Sequence, residues 1–232
     1  AMRLVREARA WALDSLDLTY GLPNPHAQGV VRRVGYSVLG PMLRYARALR
    51  HAHYLDRLSN EDLQRLPAWS RGAARALLER GGGLRQAAAT SLDLAMLARE
   101  LPQVARSIQR WSCAASEQLP IGVSALFSRC RSEYDLVSVR SDALLTWRYP
   151  PRPGRFYVAA RSGTRLDAYA VVEVVGELCH LRDLFGARDA LAALLPRVIY
   201  ECYRRGAVAV SMRFLGEPWL VSLLEKLHFE KR

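Results

Sequence analysis

Residues 155–186 read RFYVAARSGTRLDAYAVVEVVGELCHLRDLFG. Three apolar runs stand out, Phe156 to Ala160, Ala168 to Val175 and Leu178 to Leu184, with Gly163 and Gly176 between them. Short runs of this kind bounded by glycine read as consecutive antiparallel strands. The period then changes: Asp189 to Arg205 is apolar at helical spacing, and Ala207 to Phe214 reads as a strand again. A last helix, Glu217 to Leu227, is opened by Pro218, whose fixed φ suits a first turn. The order predicts a mixed α/β (α+β) sheet with a helical crossover between its third and fourth strands.

Working outward, Val123 to Tyr134 reads as a helix. Ser141 and Asp142 cap a shorter one that runs to Trp147-Arg148-Tyr149 and stops at the turn Pro150 to Gly154. From His51 to about Arg110 the chain is rich in Ala, Leu and Arg, with a capping-box start at Ser59 to Asp62 and a break at Gly81-Gly82-Gly83. This is the texture of a helical connector. Nearer the start, Met2 to Leu13 has helical spacing and Ser15 to Tyr20 alternates with period two. Asn24-Pro25 begins a helix to about Val34, with Gly35 placed to end it. Tyr36 to Leu49 predicts a strand or hairpin punctuated by Gly40-Pro41. The expected division is 1–50, a connector over 51–118, and a second domain over 119–232.

Composition narrows the function. The 232 residues are 50% hydrophobic, with 34 basic against 22 acidic side chains and a net charge of +12. Lys226 and Lys231 are the only lysines. So basic a chain favours anionic partners: a phosphorylated cofactor, a nucleic acid or an acidic surface. The arginines are spread over every predicted helix and do not interleave with aromatics, which disfavours a dedicated nucleic-acid surface. No run of about 18 apolar residues spans a membrane. The first residues carry charges through their apolar pattern, unlike a secretion signal, so the expected location is the cytoplasm. Cys113, Cys130, Cys179 and Cys202 show no metal-like spacing and read as free thiols.

Two segments carry a resemblance. Asn24-Pro-His-Ala27-Gln-Gly-Val-Val31-Arg-Arg-Val-Gly35-Tyr36 resembles the late helix of the acyl-CoA-dependent N-acyltransferase (GNAT) family, with Asn24, Ala27, Gly35 and Tyr36 in register. Leu126-Phe127, the run Arg140 to Tyr149, Arg155 to Ala160 and Leu181 to Leu184 resemble the C-terminal half of bacterial tandem-GNAT proteins. The resemblance covers residues 2 to 49 and about 119 to 229. It implies a GNAT-like fold in tandem arrangement, with an incomplete first copy and a degenerate second. On that alignment the chain starts just after the glycine-rich loop that would hold the CoA pyrophosphate.

The resemblance also implies chemistry: direct transfer of an acyl group from acetyl-CoA or another acyl-CoA to an amine-bearing acceptor. Asn24 and Ala27 would lie on the cofactor side of the first copy, near the diverging strand where the pantetheine arm passes; Asn24 serves equally as a plain N-cap. In the second copy Gly186 and Arg188 stand where the pyrophosphate loop would be, ahead of an Asp189 that suits an N-cap better than a phosphate. Glu173, a carboxylate in an apolar strand, is the candidate general base if it points inward. Asp183, at a strand end, is a candidate for binding the amine, or for pairing with Arg148 or Arg182. Trp147, Arg148 and Tyr149 could wall an acceptor groove or anchor the helix by packing. The family's thiolate-protonating tyrosine falls at Val31 and Leu224, neither of which can act as an acid. No metal site is expected.

The leading expectation is thus an acyltransferase with its CoA site mainly in the first domain. Two alternatives stay open: a non-catalytic GNAT-derived binding or assembly module, and a tRNA-dependent aminoacyl-transferase-like protein.

Overall fold

A computed structural model describes residues 2–15, 25–37, 40, 42–55, 82–98, 110–135 and 137–232. They divide into two compact units, Ala1–Pro41 and Met42–Arg232. In the first, α1 spans Met2–Ser15 and α2 spans Pro25–Arg33. Gly35, at φ +93°, ends α2: its N–H donates to the Arg32 carbonyl (2.9 Å) and that of Tyr36 to Val31 (3.3 Å). A left-handed residue closes a helix in this way, which is why glycine stands there. Of the strand predicted over 15–20, Ser15 belongs to α1. Residues 16–20, Asn24 and the predicted capping box at 59–62 lie outside the described residues.

The second unit contains β1 (Leu43–Ala48), α3 (His51–Leu55), α4 (Gly82–Ala98), β2 (Ser112–Ser116), α5 (Val123–Cys130) and α6 (Asp142–Arg148). After them come β3 (Arg155–Ser162), β4 (Arg165–Val175), β5 (Leu178–Gly186), α7 (Arg188–Arg204), β6 (Ala209–Phe214), α8 (Pro218–Lys226) and β7 (Glu230–Lys231). The strands form one sheet in the order β2-β3-β4-β5-β6-β1-β7. Among the described strands only β5 and β6 pair in parallel, across the α7 crossover. The mixed α/β architecture expected from the 155–214 pattern is therefore present.

Three details differ from the sequence reading. Strand β1, grouped there with the first domain, pairs with β6 and β7 inside this sheet. Strand β2 was read as part of the connector; Ser112-Cys-Ala-Ala-Ser116 lacks the β-branched residues that mark a strand, and it forms because β3 offers an edge to pair with. The Gly81-Gly82-Gly83 break coincides with the start of α4, which opens at Gly82.

Both faces of the sheet centre are covered. Side chains alternate along β4, so Ala168, Ala170 and Val172 meet Leu191, Leu194, Leu195, Val198 and Ile199 of α7. Tyr169 and Val171 point the other way, toward Val123 and Leu126 of α5 and Leu145 of α6. A leucine buried as completely as Leu194 contributes about 1.5–3 kcal/mol. Double coverage is why residues 168–172 read as an unbroken apolar run. Helix α6 begins where expected, with Ser141 Oγ accepting from the Leu144 amide at 3.1 Å. Asp142 reaches back to α5 and accepts from the amides of Gly122, Val123 and Ser124 at 3.1–3.2 Å. No described helix is long and apolar enough to cross a membrane.

Candidate functional site

Strands β5 and β6 stay paired only from Leu178–Ala209 to Leu181–Met212. At that level β5 carries a bulge: Val172 faces Leu181 and Val171 faces Asp183, so Arg182 is the extra residue. From Arg182 to Gly186 the strand follows β4 and parts from β6. Two parallel strands that diverge ahead of a helix leave a cleft whose floor is the N-terminus of α7. Free amides at such a helix start suit an anion.

Protein side chains occupy this cleft. Tyr134, just after the 3-10 turn Arg131–Glu133, stacks on Phe185 of β5 with ring centroids 5.1 Å apart. Its other side meets Trp219, in the first turn of α8, edge-on at 6.2 Å. The Tyr134 hydroxyl donates to the Gly186 carbonyl at 2.6 Å. Burial pushes this phenol up to about 12. The three rings thus link the β5 side of the cleft to the β6–α8 side.

The helix start is occupied as well. The Arg188 amide lies 3.5 Å from a carboxylate oxygen of Glu133, and the Arg188 side chain donates to the Glu133 carbonyl at 2.8 Å. The Arg188 guanidinium stands over the Trp219 ring at 5.4 Å. A cavity of about 350 Å³ beside it sets Arg110, Arg165 and Arg188 against Glu133, Asp167 and Asp189. Carboxylates equal arginines there, leaving little net attraction for a diphosphate. Gly186, at φ +155°, has a packing reason: a Cβ would lie 2.4 Å from the Ala168 Cβ and 2.5 Å from the Asp167 carbonyl oxygen.

The two candidate carboxylates are both paired. Glu173 points inward and is buried. Arg155 donates to its Oε1 at 3.0 Å, Arg182 to its Oε2 at 2.7 Å, and Arg152 forms a third ion pair. Asp183 accepts from Arg140 at 2.9 Å and from the Tyr169 hydroxyl at 2.7 Å. Its partner is therefore Arg140, neither of the arginines expected. Burial acts to lower the Arg140 pKa, and the adjacent Asp183 more than offsets this, so it sits above the ordinary value. Burial likewise raises Tyr169, with Asp183 adding to the effect.

The Trp147-Arg148-Tyr149 cluster is split by the helix. Tyr149 is buried, its hydroxyl donating to the Arg182 carbonyl at 3.1 Å while its own carbonyl accepts from Tyr157 at 2.6 Å. Trp147 is 78% exposed and Arg148 is exposed beside it. Ala27 sits half-buried in α2 of the other unit. Leu224 is fully buried in the core. The sequence reading missed Glu133, Tyr134, Arg140 and Trp219, which reach the cleft from three separate segments with no spacing motif to join them. Among the described residues no group of His, Cys, Asp or Glu could hold a metal.

A mixed sheet with one parallel pair that bulges and splays before a crossover helix defines a fold class, and comparison with solved structures places it. A GCN5-related N-acetyltransferase from Kribbella flavida matches over 93% of this chain and 40% of its own length, with 12% identity and a TM-score of 0.50. A tandem GNAT protein from the clavulanic acid biosynthesis pathway, solved without AcCoA, matches over 98% of this chain and 65% of its own at 13% identity and TM-score 0.42. A functionally unknown conserved protein from Staphylococcus epidermidis matches over 91% and 65% at 7% identity and TM-score 0.45. The chain spans 40 to 65% of the length of these structures. No protein-family model matches the sequence, and no curated protein does either. The fold is GNAT-like.

Proposed function

We propose that this chain is part of an acyl-CoA-dependent N-acyltransferase with two GNAT-like units, in which Met42–Arg232 is the accessory unit and does not itself hold the cofactor. The observation that carries the second half of this reading is the Phe185–Tyr134–Trp219 bridge across the only parallel strand pair of the described sheet. Glu133 at the α7 amides and the evenly balanced cavity beside them point the same way. On this reading Gly186 and Arg188 serve packing, and Glu173 and Asp183 hold arginines instead of moving protons. Acetyl-CoA, or another acyl-CoA, would sit in a first unit to which α2 and Ala27 belong.

Thermal unfolding of this chain with acetyl-CoA at about 1 mM tests the assignment. A ligand at 100 times its dissociation constant stabilises by about 2.7 kcal/mol. No shift is expected, and a saturable one abolished by Arg188→Ala would put the cofactor in the second unit after all. Calorimetry on the full-length gene product with acetyl-CoA tests the acyltransferase reading itself. Absence of binding there would leave the non-catalytic binding module as the better account, since the same filled cleft supports it.

A further inference from the structure

The half of the sheet formed by β5, β6 and β1 carries a charge pattern that the cleft does not use. Cys179 and Leu181, Val210 and Met212, and Tyr45 all face the α7 core. Their neighbours along each strand must therefore point to the opposite face. Across the strands His180 is opposite Ser211, Ser211 opposite Ala46, and Ala46 opposite Glu230. In the next row of the same face Arg213 is directly opposite Arg44. Cross-strand partners stand about 5 Å apart, and like charges so placed repel.

The outer arginines of this region are neutralised: Arg182 by Glu173 at 2.7 Å and Arg232 by Glu230 at 3.0 Å. Arg44 and Arg213, between them, are exposed, and among the described residues neither makes an ion pair or a side-chain hydrogen bond. Below them the His180 Nδ1 lies 2.8 Å from the Ser211 hydroxyl. A groove of about 1090 Å³ has Arg44, Ala46, Ala48, Ala209 and Ser211 among its lining residues, while Arg213 and His180 do not line it.

We propose that Arg44, Arg213, Ser211 and His180 form a binding site for a compact phosphate-type oxyanion. Two guanidinium groups side by side offer paired charge-assisted donors to such an anion. An oxyanion in their midst would remove the repulsion between them. The bare charge is only two strands wide, because Glu173 and Glu230, on the neighbouring His180–Ser211–Ala46 row, neutralise Arg182 and Arg232 on either side of it. That width fits a single phosphate group and not the track of a nucleic-acid backbone.

His180 completes the site. Burial lowers its pKa, and Arg182, Arg44 and Arg213 push it the same way, so the ring is neutral in the free protein at neutral pH. With an anion between the arginines their repulsion of a ring proton is compensated. The imidazolium can then donate through Nδ1 to Ser211, freeing the serine hydroxyl to donate to the anion. Binding and proton uptake are linked through these four side chains, with Glu173 held by its own three arginines. The inference stands whether or not the chain takes part in acyl transfer.

The test is an NMR titration of the His180 ring with inorganic phosphate, using chloride at matched ionic strength as the control. Phosphate is expected to move the ring resonances saturably and to raise the pH midpoint of His180 by about half a unit or more. Arg44→Gln and Arg213→Gln are each expected to weaken phosphate binding about tenfold or more. In phosphate-free buffer both variants should melt no lower than the parent, because the repulsion is gone. Equal responses to chloride, undiminished binding in both variants, or lower melting without ligand would each overturn the proposal. So would a site that ignores phosphate and takes only a single-stranded oligonucleotide with steep salt dependence.

Discussion

Gly186→Ala separates the two reasons a glycine could occupy the end of β5. In a phosphate-binding loop a methyl group would obstruct the ligand and leave folding almost unchanged. Here the added Cβ would lie 2.4 Å from the Ala168 Cβ, 2.5 Å from the Ala168 Cα and 2.5 Å from the Asp167 carbonyl oxygen. Carbon atoms in contact prefer about 3.5–4.0 Å, so the β4–β5 ladder must open by roughly 1 Å at its end. Overpacking of that size costs about 1–3 kcal/mol, and an L-residue forced to φ +155° adds about 1–3 kcal/mol. We therefore expect a loss of about 3–5 kcal/mol, a large share of the roughly 5–15 kcal/mol that holds a domain together. Urea unfolding followed by tryptophan fluorescence reads it directly. At about 2 kcal/mol per molar, the midpoint should fall by about 1.5–2.5 M. A midpoint within about 0.3 M of the parent would refute the close-packing account and return Gly186 to the candidate phosphate loop.

Tyr134→Phe should cost about 1 kcal/mol through the lost bond to Gly186. The Tyr134 phenol, held near 12 when folded against about 10 unfolded, contributes stability that is complete below pH 10 and disappears as the pH rises through 12. Urea midpoints measured from pH 9 to 11.5 should fall less steeply in the phenylalanine variant. Glu201 is wholly buried and paired with Arg197, Arg204 and Arg205. Burial alone would raise its pKa, but the arginine contacts dominate and place it below the ordinary 4.5. Its contribution is therefore present above pH 4.5 and vanishes as pH falls through the lowered value. Glu201→Gln should cost about 1–3 kcal/mol at pH 7 and flatten acid unfolding, read by circular dichroism between pH 5 and 2.5. Asp142→Asn should weaken the cap on α5 by about 1 kcal/mol, a drop of about 2–4 °C in melting temperature.

The sheet was legible from residue 155 to Phe214, though not in β7, because period-two and helical patterns alternate there with glycine between them. Each predicted boundary in that region falls within about three residues of the observed one. Strand β2 was not legible, since Ser112 to Ser116 is small and weakly β-forming, and its pairing depends on β3, some 40 residues away. The place of β1 between β6 and β7 was hidden for a similar reason: its partners come from the far end of the chain. Among site residues, Glu173 could be named but its facing could not. Period two leaves both faces open, and the three arginines that settle the matter come from the 150–154 turn, the start of β3 and β5. For Asp183 the true partner, Arg140, lies 43 residues upstream in an extended segment.

What separates shape from chemistry here is the number of residues each depends on. The cleft between β5 and β6 follows from the bulge at Arg182 and the crossover through α7, both fixed by a core whose residues run from Tyr45 to Phe229. Those features survive almost any substitution that keeps volume and pattern. Whether the cleft can accept a ligand rests on Tyr134, Phe185, Trp219 and Glu133 alone. Aromatic side chains placed in a slot add buried area and so stabilise the very fold whose binding site they fill. In a unit under no demand to bind a ligand, nothing in the energetics opposes such filling. A GNAT-like fold is thus no guarantee of a GNAT-like site, and activity has to be assigned from the side chains at the splay.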